Sequence, residues 1–434
     1  MRALFLVVCL LLWSSSTAVP AAERPNIVYL MADDHALEAI GCYGKWLRDF
    51  AHTPTIDRLA AEGMRFTNVC CNNSICSPSR GSIITGQYSH INGGLNLGCT
   101  LRPDSPSYIV ELQKAGYTTA VVGKWHMGQQ PRGCDDYAVT KGQGKYFNPT
   151  FRRPDGAAEK HQGYYADVYT DWALDWLKKR DKTKPFCLNL QFKGPHNPYD
   201  YPERWAHLHE GVDVPEPSSL HEDTAQSPHL KALHYSMMYH KDAPKSYYLH
   251  HLSEIGKTAD EATARRSLAY QHMIHKYLRC VAAIDDNVKR VVDSLEAEGV
   301  KDETLIVYTS DQGYWLGQHN MFDKRLILEE SLKMPFIVRY PKEIKPGSVC
   351  EKLAMNIDFG LTMLDFAGAR APKAMQGMSL RPLLKGKTPA DWRTGIFYAY
   401  YARAPKHWGI RTEQHKLIHF PGTDAIEFYD LTGR

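Results

Sequence analysis

The sequence predicts an α/β fold, with a mostly parallel sheet flanked by helices and a small antiparallel sheet at the C-terminal end. Three observations lead there. Apolar runs at residues 26–32, 118–123, 186–192 and 304–310 are continuous rather than alternating, the pattern of strands buried on both faces. Helical periodicity lies between them, and strand, helix and crossover in alternation give parallel neighbours with helices on both sides. Past Gly368 the texture changes to short strand candidates at 395–401, 408–411, 416–420 and 427–431, divided by Pro/Gly or charged turns, as an antiparallel sheet requires.

Taken in order, residues 1–22 read as an export signal. Arg2 is the positive start, residues 4–13 are a short apolar core, and 14–22 are a small-residue region with cleavage after Ala18 or Ala22. The core is too short to span a bilayer, and Val8 before Cys9 argues against a lipoprotein anchor. The main domain is expected over 23–368. Its first strand, 26–32, stops at Asp33-Asp34; residues 55–63 then read as a helix opened by Thr53-Pro54 and stopped by Gly63. Pro78 suits the first turn of another helix. The second strand leads into Lys124-Trp125-His126, and the third into Lys193-Gly194-Pro195-His196. Residues 167–179 are amphipathic, with Val168, Trp172, Leu174, Trp176 and Leu177 on one largely apolar face.

Residues 203–260 are rich in His, Pro, Tyr and charge, and read as an inserted loop region over the substrate cleft. The histidines there, among them His207, His209, His234, His250 and His251, are irregularly spaced, so exposed loop residues are expected rather than ligands. A long helix over 261–298 runs to Gly299, with His272 and His275 as packing or surface residues. The last strand of the main domain, 304–310, ends in Asp311-Gln312-Gly313. A C-terminal subdomain is expected over 369–434.

The chemistry gathers where the strands stop, and in open α/β sheets sites form outside the carboxyl ends of strands. Three carboxylates and an amide oxygen form a hard shell suited to Ca²⁺ and, less well, to Mg²⁺. No zinc-spaced Cys/His pattern competes. A further run, Cys76-Ser77-Pro78-Ser79-Arg80 followed by Thr85-Gly86, joins a cysteine to a helix start, where backbone N–H groups and the helix dipole favour an anion.

These motifs, in the order Asp-Asp, Cys, Lys-x-His, His, Asp-Gln, Lys, resemble the formylglycine-dependent (type I) sulfatase family over essentially the whole mature chain. The resemblance implies an alkaline-phosphatase-like core and sulfate ester hydrolysis. In that family the signature cysteine is oxidised to formylglycine by a formylglycine-generating enzyme. One hydroxyl of the hydrated aldehyde attacks sulfur, and the other later expels sulfate. Cys76 takes the cysteine's place, and Asp33, Asp34, Asp311 and Gln312 fall on the metal ligands with the modified Cys76 beside them. Arg80 falls on the group that holds the gem-diol, Lys124 on a fixed cation, His126 on the base for sulfate release, and His196 with Lys324 on the leaving-group oxygen. Three segments, 73–80, 322–331 and 409–413, look like glycan sulfatases of the N-acetylglucosamine-6-sulfatase type. A sulfated saccharide is therefore the expected substrate, with 6-O-sulfated N-acetylglucosamine first. Relatives continue beyond residues 429–431, so a truncated end at Arg434 is one expectation.

Composition bounds the remaining classes. The chain of 434 residues is 43% hydrophobic and 23% charged, ordinary for a core-forming protein. A net charge of +4 and the lack of a Lys/Arg block interleaved with aromatics give no case for nucleic acid. Export implies a periplasmic, secreted or lumenal destination without a membrane span after signal removal. Disulfides would be permitted there, but eight cysteines besides Cys9 and Cys76 cannot be paired from sequence, and small apolar packing explains most of them. Two alternatives stay open: a phosphate mono- or diester hydrolase of the same superfold, and a non-catalytic glycan-binding relative.

Overall fold

A computed structural model describes residues 24–222, 229, 247–403 and 405–433. The export signal at 1–22 and His234 lie outside the described residues.

A ten-stranded sheet organises the chain around five parallel central strands, in the order Thr304–Ser310, Asn26–Asp33, Phe186–Pro195, Thr118–Lys124 and Asp136–Thr140. Antiparallel neighbours extend both sides of this centre. The first strand shows why its sequence is apolar throughout. Ile27, Tyr29 and Met31 enter the core on one face, Val28, Leu30 and Ala32 the core on the other, and all six are at most 1% exposed. Side chains alternate across a strand, so burial on both faces requires an apolar residue at every position.

Helices Pro54–Glu62, Tyr165–Lys179 and the long Ala262–Ala297 cover one face. Cys76–Thr85, Tyr108–Lys114 and Asp358–Phe366 cover the other. The expected strands and helices fall within a few residues of these bounds, except that the third strand continues through Lys193 to Pro195. Residues 203–260 are less irregular than their composition suggests. Where described, they contain the short helices Tyr247–His250 and Leu252–Ile255 and a 3-10 turn at Glu203–Trp205.

The C-terminal part is a four-stranded antiparallel sheet, Gly395–Tyr400, His407–Thr412, His415–Phe420 and Ala425–Asp430, in sequence order. An ion-pair cluster docks it on the main body. Arg411, 1% exposed, donates to both Glu329 oxygens at 3.0 Å, and Lys416 lies 2.8 Å from one of them. The 409–413 segment thus contributes a fastening rather than a cleft wall. Among the described residues no helix is long and apolar enough to cross a membrane, and none of the nine described cysteines forms a disulfide.

Candidate active site

Parallel strands in register deliver their end residues to one edge. Ala32 pairs with Ser310 and Asp33 with Pro195, so Asp33-Asp34, Asp311-Gln312 and His196 emerge side by side. Gly123 fixes the next strand's exit: its φ of +107° suits glycine, and a Cβ there would collide with the Gln191 carbonyl. Lys124, which follows, donates to Asp33.

Cys76 is the first residue of helix Cys76–Thr85 and only 1% exposed. The serines of its motif tie this helix to the neighbouring loops. Ser77 Oγ donates to the His126 carbonyl at 2.6 Å, and Ser79 Oγ donates to the Asp311 carbonyl. Arg80 reaches inward one turn later. Its Nε donates to Asp311 Oδ2 at 2.9 Å, its Nη1 to the Gln191 side chain at 3.0 Å and to the Lys124 carbonyl, and its Nη2 lies 3.6 Å from Asp33.

Oxygens of Asp33, Asp34 and Asp311 lie within 4.8 Å of one another, and all three residues are fully buried. Burial outweighs the Lys324 attraction and, helped by the neighbouring Asp33 charge, pushes Asp34 up to about 6. Burial with Asp33 and Asp34 beside it pushes Asp311 up to about 8. Burial alone would also raise Asp33, but the Lys124, Arg80 and Lys324 charges hold it well below the carboxylate range. Gln312 donates through Nε2 to Asp34 and faces Cys76 Sγ at 3.9 Å. Asp33 Oδ1 and Gln312 Oε1 are buried oxygens with no hydrogen-bond partner. Two unmatched oxygens beside mutually repelling carboxyls are the donor set of a hard cation, so the residues fit the divalent metal expected from the sequence.

The cleft of about 590 Å³ opens above Cys76, Asp34, His196 and Lys324. Lys324 Nζ reaches Asp34 at 2.5 and 2.7 Å over the Tyr314 ring, 5.7 Å from its centroid. His196 Nδ1 lies 2.6 Å from the Asn197 carbonyl, an acceptor only, so this nitrogen carries the hydrogen and Nε2 faces Asp34 at 3.7 Å. Burial and the Lys324 and Lys124 charges depress His196, while burial and Lys124 depress His126. Both are neutral bases in this state. Burial above all pushes the Cys76 thiol far up, so a thiolate nucleophile is disfavoured here.

All the residues anticipated from sequence, Asp33, Asp34, Cys76, Arg80, Lys124, His126, His196, Asp311, Gln312 and Lys324, therefore converge on this one region. Others were not anticipated. Lys193 is 4% exposed, stands over the Tyr146 ring at 4.6 Å, and is pulled down to about 8 by burial and Lys124. Gln143, Tyr247, Asp323 and Arg325 line the cleft. Gln143 and Tyr247 come from distant segments and carry no local motif, whereas Asp323 and Arg325 flank Lys324 in the 322–331 segment and Lys193 lies in the Lys-Gly-Pro-His run. His251, expected as an exposed loop residue, is a correction. It is 4% exposed, packed on the Tyr247 ring at 4.2 Å, and forms cleft wall. His272, expected as a packing or surface group, shares Glu254 with it.

Residues 25–369 match the family model described as Sulfatase, and residues 317–433 match the one described as N-sulphoglucosamine sulphohydrolase, C-terminal. An N-acetylglucosamine-6-O-sulfatase of Bacteroides thetaiotaomicron is 39% identical, over 96% of this chain and 83% of its own. An N-acetylglucosamine-6-sulfatase of Capra hircus is 28% identical, over 89% of this chain and 68% of its own. A solved structure described as a complex with its substrate D-glucosamine-2-N,6-O-disulfate superposes with a TM-score of 0.87. It is 38% identical and covers 94% of this chain and 91% of its own.

Proposed function

The chain belongs to the sulfatase family and hydrolyses sulfate esters, and from that premise we propose a sulfated glycan as its substrate, with 6-O-sulfated N-acetylglucosamine the group it acts on. The observation that carries this reading is the placement of Cys76 between a buried carboxylate cluster and the cations Lys124 and Lys324, under an open cleft. Relatives named for the same sugar sulfate support the choice of sugar.

In this reading Cys76 is oxidised to formylglycine by the host's formylglycine-generating enzyme, and its hydrate supplies the oxygen nucleophile that no ordinary side chain offers. Asp33, Asp34, Asp311 and Gln312, with residue 76, hold Ca²⁺ in preference to Mg²⁺, and the ion when bound offsets charge on the sulfate. Arg80, anchored on Asp311, steadies the modified residue. Lys124 and Lys324 hold sulfate oxygens with fixed positive charge. His126, a neutral base on the loop tied to Ser77, takes the proton when sulfate is released. His196 and Lys324 face the leaving sugar oxygen, with the imidazole oriented by its Nδ1–H on Asn197. Residues 1–22 serve export to a periplasmic, secreted or lumenal space, 23–368 the catalytic domain and 369–434 the C-terminal subdomain.

Turnover of defined sulfated mono- and disaccharides beside an aryl sulfate and a phosphate ester tests the reading. The 6-O-sulfated N-acetylglucosamine is expected to give the highest kcat/KM, because remote sugar contacts orient the ester. An aryl sulfate has a good leaving group and so needs less help from His196 and Lys324 at the leaving oxygen. His196→Ala is therefore expected to cost about a hundredfold on saccharides and roughly tenfold or less on aryl sulfate. Equal losses would remove the leaving-group role, and preference for the phosphate ester would favour phosphatase chemistry instead.

A further inference from the structure

At the rim of the cleft, away from the carboxylate cluster, a second group of metal-ligating side chains comes together. His251 Nδ1 lies 3.1 Å from Glu254 Oε1, and His272 Nε2 lies 3.5 Å from Glu254 Oε2. One donor atom from each of the three residues falls within 4.8 Å of the others. His251 and Glu254 stand on the short 247–255 segment, one turn apart, and His272 projects from helix Ala262–Ala297.

We propose that His251, Glu254 and His272 form a second divalent-cation site, suited to Zn²⁺, beside the substrate cleft. Two imidazoles and one carboxylate are a nitrogen-rich set that imidazole-preferring metals take, unlike the all-oxygen shell around Asp33. Three protein ligands leave the fourth tetrahedral position for water or a ligand. Zinc bonds of about 2.0–2.2 Å place neighbouring donors about 3.4 Å apart, so the present spacing closes by ring and carboxylate rotation.

The surroundings match what ligating groups need outside the metal itself. Tyr247 Oη lies 3.1 Å from His272 Nδ1, which fixes that ring and aims Nε2 at the carboxylate. Lys276 donates to Glu254 Oε2 at 3.0 Å, the oxygen that also faces His272, and so holds the carboxylate in place between the two helices. Burial and Lys276 draw His272 down to about 4, leaving the imidazole neutral and its lone pair available at neutral pH. His251 and Tyr247 also line the cleft. A bound cation would join the 247–255 segment to the long helix and so rigidify one cleft wall.

The test is Zn²⁺ titration of the full chain with its catalytic centre loaded with Ca²⁺, by calorimetry and elemental analysis, for wild type and His272→Gln. Wild type is expected to bind one more Zn²⁺ than the variant at equal Ca²⁺ content, with slowed hydrogen exchange over 247–255. In the variant that site is expected to weaken at least about tenfold. Glu254→Gln, at a half-exposed position, supplies the same comparison if His272→Gln fails to fold. Equal Zn²⁺ stoichiometry and affinity in wild type and variant would overturn the proposal, as would unchanged exchange over 247–255.

Discussion

Asp34, His126, Asp323 and Arg325 hold φ values of +68°, +57°, +81° and +129°, in the region that favours glycine, and all four cluster at the reacting edge. Such conformations persist where surrounding contacts over-determine them. For Asp34 the contacts are on hand: Tyr277 Oη donates to its carbonyl at 2.6 Å, and its N–H donates to Asp311 Oδ1 at 3.1 Å. The identities of Asp34 and His126 were legible in the sequence because they follow apolar strands. Their backbone angles were not, since Tyr277 lies on a helix 243 positions away. His319 shows a similar long-range dependence. Burial would lower its pKa, but Glu330 and Glu222, the latter at 2.6 Å, push it up to about 9. A folded value above the unfolded 6.5 stabilises the fold fully below pH about 6.5 and loses that contribution as pH rises through about 9. The stability gap between wild type and His319→Gln, from urea unfolding at a series of pH values, is expected to shrink across that window. A gap independent of pH would contradict the pairing.

The C-terminal sheet shows where an element was legible and its purpose was not. Its four strands could be read as short runs divided by turns, but not which face packs: in His407–Thr412 the buried residues are His407, Gly409 and Arg411, and Trp408 and Ile410 are exposed. Nothing in that pattern tells what the sheet holds. Tyr398 Oη accepts from the Ser74 N–H at 3.1 Å and donates to the Arg325 carbonyl, so one side chain joins the loop before Cys76 to the loop bearing Lys324. The sheet therefore sets the spacing of two catalytic loops, through pairings more than 70 positions apart that a local pattern cannot encode. The Arg411–Glu329 pair is the clamp. Arg411→Met would leave Glu329 with Lys416 and Lys333, at 2.8 and 3.1 Å. The variant is expected to lose about 3 kcal/mol of stability, because a buried charge loses its bidentate partner. Urea unfolding and limited proteolysis of the sheet would show it, and a change under about 0.5 kcal/mol would mean the sheet is held by packing alone.

Across the whole molecule, the parallel centre of the sheet turns separate sequence motifs into one site, which is why their order along the chain was informative while the cleft walls at Gln143 and Tyr247 were not. The same convergence concentrates three carboxyls whose charges oppose the fold unless a cation joins them. Exhaustive chelation is expected to abolish activity and lower the Tm by roughly 5 °C, with Ca²⁺ restoring activity better than Zn²⁺. Full activity in protein shown by elemental analysis to be metal-free would exclude the cation. The chemistry at Cys76 is tested most directly by mass spectrometry of the peptide that contains it, taken from protein of measured sulfatase activity. An aldehyde at residue 76, in a fraction that rises with specific activity, is the expected result. An unmodified thiol at Cys76 in fully active protein would contradict it.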